Sequence, residues 1–170
     1  MHRVVSLTLF AFLIAPSVAA AQQALIEVGR VAGQAGTTVE VPVWLEVDGL
    51  QADRVSADIR YSSMTPLRAL PGGPPDCTPS SEIEGGTAIF RFLCVGEDCT
   101  QFRAFVASPG GALPEGILFT CNYDIRPEAT PAIYPLRISS ATALDATGSP
   151  LDSATVNGEI RVVTPTPTST

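Results

Sequence analysis

The sequence predicts an all-β domain, specifically a two-sheet antiparallel β-sandwich. Runs of β-branched and aromatic residues alternate with polar residues along most of the chain, which is the period of a half-buried strand. Turn signals rich in Gly, Pro and Asn separate these runs at intervals of about ten residues. No segment has the period and length of a helix that would compete with the strands. Eight or nine short strands with such closely spaced turns are typical of a sandwich.

The clearest strand signal lies in residues 116–163. Its first run alternates so that one set of side chains shares a face. The residues of that face, which we expect to be buried, are Ile117, Phe119, Cys121, Tyr123 and Ile125. After a Pro-containing break the chain resumes as I-Y-P-L-R-I, and past an Asn-Gly turn pair it ends as E-I-R-V. Strands from the rest of the chain must therefore cover this stretch.

The amino-terminal half supplies those strands. Residues 25–31 form the first, and residues 37–47 form the second, with its inward side chains at Val39, Val41, Val43, Leu45 and Val47. Pro42 cannot donate a ladder hydrogen bond, so we expect a sheet edge or a bulge near it. Trp44 falls on the outer face, where packing across strands is a better explanation than stacking on a ligand.

Three further strands follow, over residues 54–61, 87–94 and 101–107. The first has an inward face of Val55, Ala57, Ile59 and Tyr61. Its outward face is polar and consists of Arg54, Ser56, Asp58 and Arg60. The second is predicted to point Ala88, Phe90, Phe92 and Cys94 inward.

The two ends of the chain are predicted to lie outside the domain. Residues 1–21 have a positive start, an apolar core and a final Ala-Ala-Ala, which together are typical of a cleaved signal peptide. The apolar core is about eleven residues, whereas a membrane span needs about 20, so a retained anchor is disfavoured. Residues 22–163 form the domain, and residues 164–170 form a Pro/Thr-rich linker or tail. We therefore expect a secreted protein, extracellular or at the cell surface, with no membrane insertion.

Composition excludes several kinds of chemistry. The chain has ten arginines, no lysine, seventeen acidic residues and a net charge of −7, which argues against nucleic acid as a ligand. Its one histidine is His2, inside the predicted signal peptide, so no histidine-dependent triad or metal site can form in the domain. Paired carboxylates remain, with Asp58 and Asp124 as the pair to consider, but carboxylates on a sheet are ordinary surface. We expect no catalytic residues, no metal and no cofactor.

Four cysteines in an exported chain predict disulfides rather than a zinc site, because their spacing lacks the C-x-x-C pairs of zinc modules. Three connectivities are open. If Cys94 and Cys121 face inward in one sheet with a strand between them, about 10 Å separates them, too far to bridge. Two connectivities then stay open, and of these we prefer Cys77 with Cys94, and Cys99 with Cys121.

Several segments together resemble a bacterial cohesin domain, over nearly all of residues 25–163. They are I-E-V-G-R-V-A-G-Q-A-G-T-T-V-E-V-P-V-W-L, A-D-I-R-Y, E-G-I-L-F-T-C-N-Y-D-I, A-I-Y-P-L-R-I and N-G-E-I-R-V, in that order. The resemblance implies a nine-stranded jelly roll that is not an enzyme. It also implies a dockerin-type protein partner, which carries its own calcium, in a polysaccharide-degrading or cell-surface assembly. A carbohydrate-binding module of the same sandwich superfamily, with a polysaccharide ligand, is the alternative.

The resemblance further implies where the partner binds. In that family it is the outward side of the sheet that contains the third, fifth, sixth and eighth strands. Carried onto this chain, the partner-binding side chains are Arg54, Ser56, Asp58, Arg60, Arg91, Thr120, Asn122 and Asp124. A merely solvated sheet face is the alternative interpretation of the same residues.

Overall fold

A computed structural model describes residues 23–83, 85–94 and 99–164, and these form strands and turns without a helix. The predicted signal peptide, residues 1–21, and all of the predicted tail beyond Thr164 lie outside the described residues. The strands are β1 (Ala24–Val28), β2 (Arg30–Gln34), β3 (Thr38–Val47), β4 (Arg54–Arg60), β5 (Cys77–Pro79), β6 (Thr87–Phe92), β7 (Gln101–Ala107), β8 (Gly116–Asp124), β9 (Ile133–Leu144), β10 (Pro150–Leu151), β11 (Ser153–Val156) and β12 (Gly158–Val163).

The strands form two sheets packed face to face, which confirms the predicted sandwich. The front sheet has the order β2-β12-β9-β4-β7-β6, with β10 added against β9, and the back sheet has the order β11-β1-β3-β8-β5. Nine of the strands have five or more residues, while β5, β10 and β11 have two to four. Within the described residues every strand pair is antiparallel except β1 with β11 and β2 with β12, which are parallel.

The core lies between the sheets and is built from the alternating positions that the sequence indicates. Val41, Val43 and Leu45 of β3 and Val55, Ala57 and Ile59 of β4 are all buried, as predicted. The largest buried side chains are Tyr123, Phe102, Phe119, Ile26, Leu45, Ile59, Leu118, Ile125, Leu136 and Ile160. Both sheets contribute to this set, so removing apolar surface from water holds the two layers together.

A β-bulge corrects the predicted buried face of β8. The register between β3 and β8 shifts between Val43 and Trp44, leaving Leu118 as the extra residue. Leu118 and Phe119 are therefore both buried, while Ile117 turns outward and is 42% exposed. The prediction that Ile117 is buried is wrong for this reason. This irregularity lies close to Pro42, where the sequence predicts an edge or a bulge, but its extra residue is in β8 and not in β3, which is an interior strand.

The first long strand signal is split between the two sheets at Gly29. β1 belongs to the back sheet and β2 to the front sheet, so the chain crosses from one layer to the other within one residue. At this point Gly158, the first residue of β12, lies directly against the backbone of Val28 and Gly29. A Cβ atom at position 158 would meet the Gly29 carbonyl oxygen and would lie 2.6 Å from Val28 Cγ1. Only glycine fits there without a shift of the backbone.

The disulfide pairs differ from the predicted ones. Cys77 is bonded to Cys121, and Cys94 is bonded to Cys99. The predicted pairs are wrong because β8 lies in the back sheet beside β5, which places Cys77 directly opposite Cys121. Cys94 lies beyond the end of β6 and is exposed, so the predicted inward position of Cys94 is also wrong. One bridge joins two back-sheet strands, and the other closes the connection between β6 and β7.

We expect Gly158→Ala to destabilise the domain by about 1–3 kcal/mol, because the added methyl group meets backbone atoms that cannot move aside independently. The matched control is Gly110→Ala, at a position where a Cβ meets nothing within 4 Å. Urea unfolding followed by circular dichroism measures both. Equal stability of the two variants would contradict the close packing at the crossing.

The two disulfides should contribute unequally to stability. The Cys77–Cys121 bridge spans 44 residues and the Cys94–Cys99 bridge spans 5. Chain entropy in the unfolded state then assigns about 4 kcal/mol to the first and about 2 kcal/mol to the second. We expect the double alanine variant of the long bridge to lose the larger free energy of unfolding in guanidinium titrations. A larger loss in the double alanine variant of the short bridge would contradict this order.

Candidate functional site

The structure divides the predicted partner-binding residues between two opposite surfaces. Arg54, Ser56, Asp58 and Arg60 lie on β4 and Arg91 lies on β6, all in the front sheet. The other three residues, Thr120, Asn122 and Asp124, lie on β8 in the back sheet. The expectation that all eight share one face is therefore wrong, because β8 pairs with β3 and β5 instead of β4. The neighbour of β4 on that side is β9.

The three side chains on β8 lie on the outside of the back sheet. Asp124 and Asn122 take part in hydrogen bonds there, and Thr120 lies next to them. Thr38 Oγ1 donates a 2.7 Å hydrogen bond to Asp124 Oδ1, across the β3–β8 pair. Asn122 Nδ2 donates a 3.1 Å hydrogen bond to Asp76 Oδ2. Asp58 and Asp124 are therefore on different sheets, and the carboxylate pair considered from the sequence does not form.

We call the outer surface of β6, β7, β4 and β9 the front face. The strand registers arrange its side chains in rows that run across the four strands. The first row is Thr87, Ala107, Arg54 and Leu144; the second is Ile89, Phe105, Ser56 and Thr142; the third is Arg91, Arg103, Asp58 and Ser140; the fourth is Gln101, Arg60 and Arg137. The second row thus has two neighbouring apolar side chains, Ile89 and Phe105, and it lies beside two rows rich in arginine.

An ion pair lies at the centre of the front face. Arg103 Nε and Nη2 donate hydrogen bonds of 2.6 and 2.7 Å to the two carboxylate oxygens of Asp58. Asp58 is 8% exposed, and Arg103 is partly exposed above it. The hydrogen bond and the negative charge of Asp58 raise the pKa of Arg103 above its usual value. The bidentate geometry fixes the guanidinium plane, so this pair is a rigid feature of the surface.

A shallow depression of about 320 Å³ lies beside this ion pair. It is lined by Ser56, Ile89, Arg91, Arg103 and Phe105. Ile89 is 52% exposed and Phe105 is half-buried, so the floor of the depression is apolar while its rim is cationic. Such a combination suits an apolar anchor of a partner whose polar groups reach the rim.

Sequence reasoning missed several front-face residues. Arg103 and Phe105 alternate with three buried residues of β7, and that alternation alone predicts that both point outward. Arg137 is harder to place, because β9 has a bulge. The bulge lies between the β9 residues that pair with Asp58 and Ile59 of β4, and it leaves Ser139 as the extra residue. The signal for it is the three-residue step from Ile138 to Ala141 in an otherwise alternating strand.

Two absences hold for residues 23–83, 85–94 and 99–164. These residues contain no group of three or more His, Cys, Asp or Glu side chains placed to hold a metal ion. They also contain no helix that is long and apolar enough to cross a membrane.

Comparisons with known proteins agree on the fold. No family model and no curated protein matches the sequence. Among solved structures, the non-cellulosomal cohesin of the archaeon Archaeoglobus fulgidus is 19% identical, with a TM-score of 0.65 and coverage of 84% of this chain and 92% of that chain. The cohesin CaCohA2 of Clostridium acetobutylicum is 20% identical, with a TM-score of 0.65 and coverage of 84% and 92%.

A third structure includes a partner. The Coh-OlpA-Doc918 complex of Clostridium thermocellum, a type I cohesin-dockerin complex, contains a chain that is 16% identical to this one. Its TM-score is 0.66, and the match covers 83% of this chain and 99% of that chain. These similarities show that the chain has the sandwich fold of cohesin domains, as the sequence predicts.

We expect Asp58 and Arg103 to be energetically coupled. Asp58→Asn should lower the melting temperature, because it removes the charge that pairs with Arg103, and Arg103→Gln should lower it because it leaves a nearly buried carboxylate unpaired. A double-mutant cycle by calorimetry should show that the double variant loses less than the sum of the single losses. Additive losses would show that the pair contributes nothing to stability.

Proposed function

We propose that this protein is a secreted, noncatalytic interaction module that binds a dockerin-type protein through the front face. The observation that carries the proposal is the arrangement of this face: an open sheet surface with an apolar depression beside a fixed ion pair. Support also comes from the shared fold, because a chain of a cohesin-dockerin complex matches nearly all of the described domain. Calcium is expected to be bound by the partner.

The front face has the anatomy of a recognition surface. Binding energy in protein interfaces is concentrated in a few central anchors that are surrounded by polar groups. Ile89 and Phe105 are the apolar candidates for this role, and the Asp58–Arg103 pair adjoins them. Because the side chains stand on interior and edge strands of one sheet, their positions are set by the ladder and not by a loop.

Export and assembly belong to the same proposal. The signal-peptide pattern in residues 1–21 and two disulfides in the domain both favour an oxidising location outside the cytoplasm. A module that holds a dockerin-bearing protein there would serve a polysaccharide-degrading or cell-surface assembly. Direct binding to polysaccharide is less favoured, because Phe105 is the one aromatic side chain that β6, β7, β4 and β9 place on the front face.

The direct test is calorimetric titration of the purified protein with dockerin modules encoded in the same genome, with calcium and with a chelator. The expected result is saturable binding that is lost when calcium is removed from the dockerin. Retention on cellulose, xylan or chitin without binding to any of these dockerins would instead support the carbohydrate-binding alternative.

We expect Phe105→Ala and Ile89→Ala each to weaken dockerin binding by about 2 kcal/mol, or roughly thirtyfold, because they remove anchors from the centre of the interface. Thr120→Ala, on the back sheet, is the matched control and should leave the affinity unchanged. Circular dichroism checks that all three variants are folded. Binding that survives both front-face changes but is lost with Thr120→Ala would move the interface to the back sheet.

A further inference from the structure

The front face carries two pairs of arginines that are direct neighbours across strands. Arg91 of β6 is opposite Arg103 of β7, and Arg60 of β4 is opposite Arg137 of β9. Like charges in directly opposed positions of a sheet repel each other and destabilise it. The free protein therefore retains two unfavourable contacts on one surface.

The neighbouring side chains offset this repulsion only in part. Arg103 is neutralised by Asp58, while Arg60 donates a 3.4 Å hydrogen bond to the uncharged amide oxygen of Gln101. Within the described ranges, neither Arg91 nor Arg137 has a carboxylate at ion-pair distance. Among the described residues, each arginine pair therefore has at least one guanidinium without a carboxylate partner, and an external anion could bind it.

Charge is also separated between the two sheets. The four strands of the front face carry five arginines and one carboxylate, and the adjoining β2 and β12 add Arg30, Arg161 and Glu159. The front sheet thus has seven arginines and two carboxylates on its described strands. The back-sheet strands carry four carboxylates and no arginine, the carboxylates being Glu27, Glu40, Glu46 and Asp124. A protein of net charge −7 therefore presents one cationic surface.

We infer that the partner contacts the front face with an acidic helix, and this inference rests on the proposed dockerin-type function. The midpoints of the two arginine pairs are two strand spacings apart across the sheet and two residues apart along it, which is about 12 Å. Side chains seven or eight residues apart on one side of an α-helix are separated by about 11–12 Å. Two carboxylates at that spacing would each lie over one arginine pair.

An apolar side chain of the same helix would occupy the depression. The row of Ile89 and Phe105 lies two residues along the strands from the row of Arg91 and Arg103, a distance of about 7 Å. Relative to the diagonal line between the two arginine pairs, that row lies about 4 Å back along the line and about 5–6 Å to one side of it. One helical turn covers about 5.4 Å, so a Leu-type residue one turn before the first carboxylate, with its side chain extended to that side, reaches the depression. The recognition pattern is therefore apolar, acidic one turn later, and acidic again two turns after that.

The probes are two synthetic helical peptides that differ only at the two charged positions. One has Leu at position i, Glu at i+4 and Glu at i+11; the other has Lys in place of both Glu. Each is titrated into the ¹⁵N-labelled protein and followed by amide chemical shifts. We expect the Glu peptide to shift amides of β6, β7, β4 and β9 and to lose affinity as salt is raised. The Lys peptide should shift none of them.

Charge-reversed variants locate the contacts. Arg91→Glu and Arg137→Glu should each weaken binding of the Glu peptide by about tenfold or more, and the double variant should bind the Lys peptide instead. Arg126→Glu changes the net charge equally but lies after β8, so it should have no effect. Melting curves verify that each variant is folded. Equal binding of the two peptides, or shifts confined to the back sheet, would overturn the inference.

Two further outcomes separate this inference from the proposed function. If a dockerin binds the front face with no dependence on salt, Arg91 or Arg137, the dockerin function stands and the acidic helix is wrong. If the Glu peptide binds and no dockerin does, the acidic-helix specificity stands and the dockerin function is wrong. Polygalacturonate, an acidic polysaccharide, is titrated in the same way. If it binds the front face more tightly than the Glu peptide does, the inference of a protein partner is wrong.

Discussion

The close backbone contact between Gly29 and Gly158 determines how the two sheets are joined. At Gly29 the chain passes from the back sheet to the front sheet, and β12 can start beside it only because position 158 has no side chain. β2 and β12 therefore occupy one edge of the front sheet. As a result β9 pairs with β12 through residues 133–136 and with β4 through residues 137–144. This one strand thus connects the edge to the front face.

The sequence predicts most of the fold because alternation is a local signal. For β3, β4 and β7, the positions with apolar residues are the buried positions, and no knowledge of other strands is needed. Sheet membership is not local. Nothing in the run around Cys121 indicates whether β8 pairs with β4 or with β3 and β5, yet that choice decides both the disulfide pairs and the face on which Thr120, Asn122 and Asp124 lie. One misplaced strand accounts for both errors.

The two bulges show how a local irregularity changes a surface. In β9 the extra residue Ser139 turns Ile138 toward the core and Arg137 to the outside, where it faces Arg60. Without the bulge, strict alternation would place Ile138 on the front face and Arg137 in the core. The bulge in β8 instead brings an apolar side chain to the surface. It buries Leu118 and exposes Ile117 beside Trp44. The alternation of buried and exposed residues thus fails at the two bulges, and the bulge in β9 places Arg137 on the front face.

Net charge is a poor guide to what such a sandwich binds. The overall value of −7 argues against anionic ligands, but charges act over a limited distance. The sheets are about 10 Å apart and side chains extend from both outer faces, so the cationic and acidic surfaces are separated by about 20 Å. At physiological salt the Debye length is about 8 Å, so a partner near the front face interacts mainly with its arginines. The acidic back sheet repels the same acidic partner when the partner approaches from that side. The charges therefore orient the partner toward the front face before contact is made.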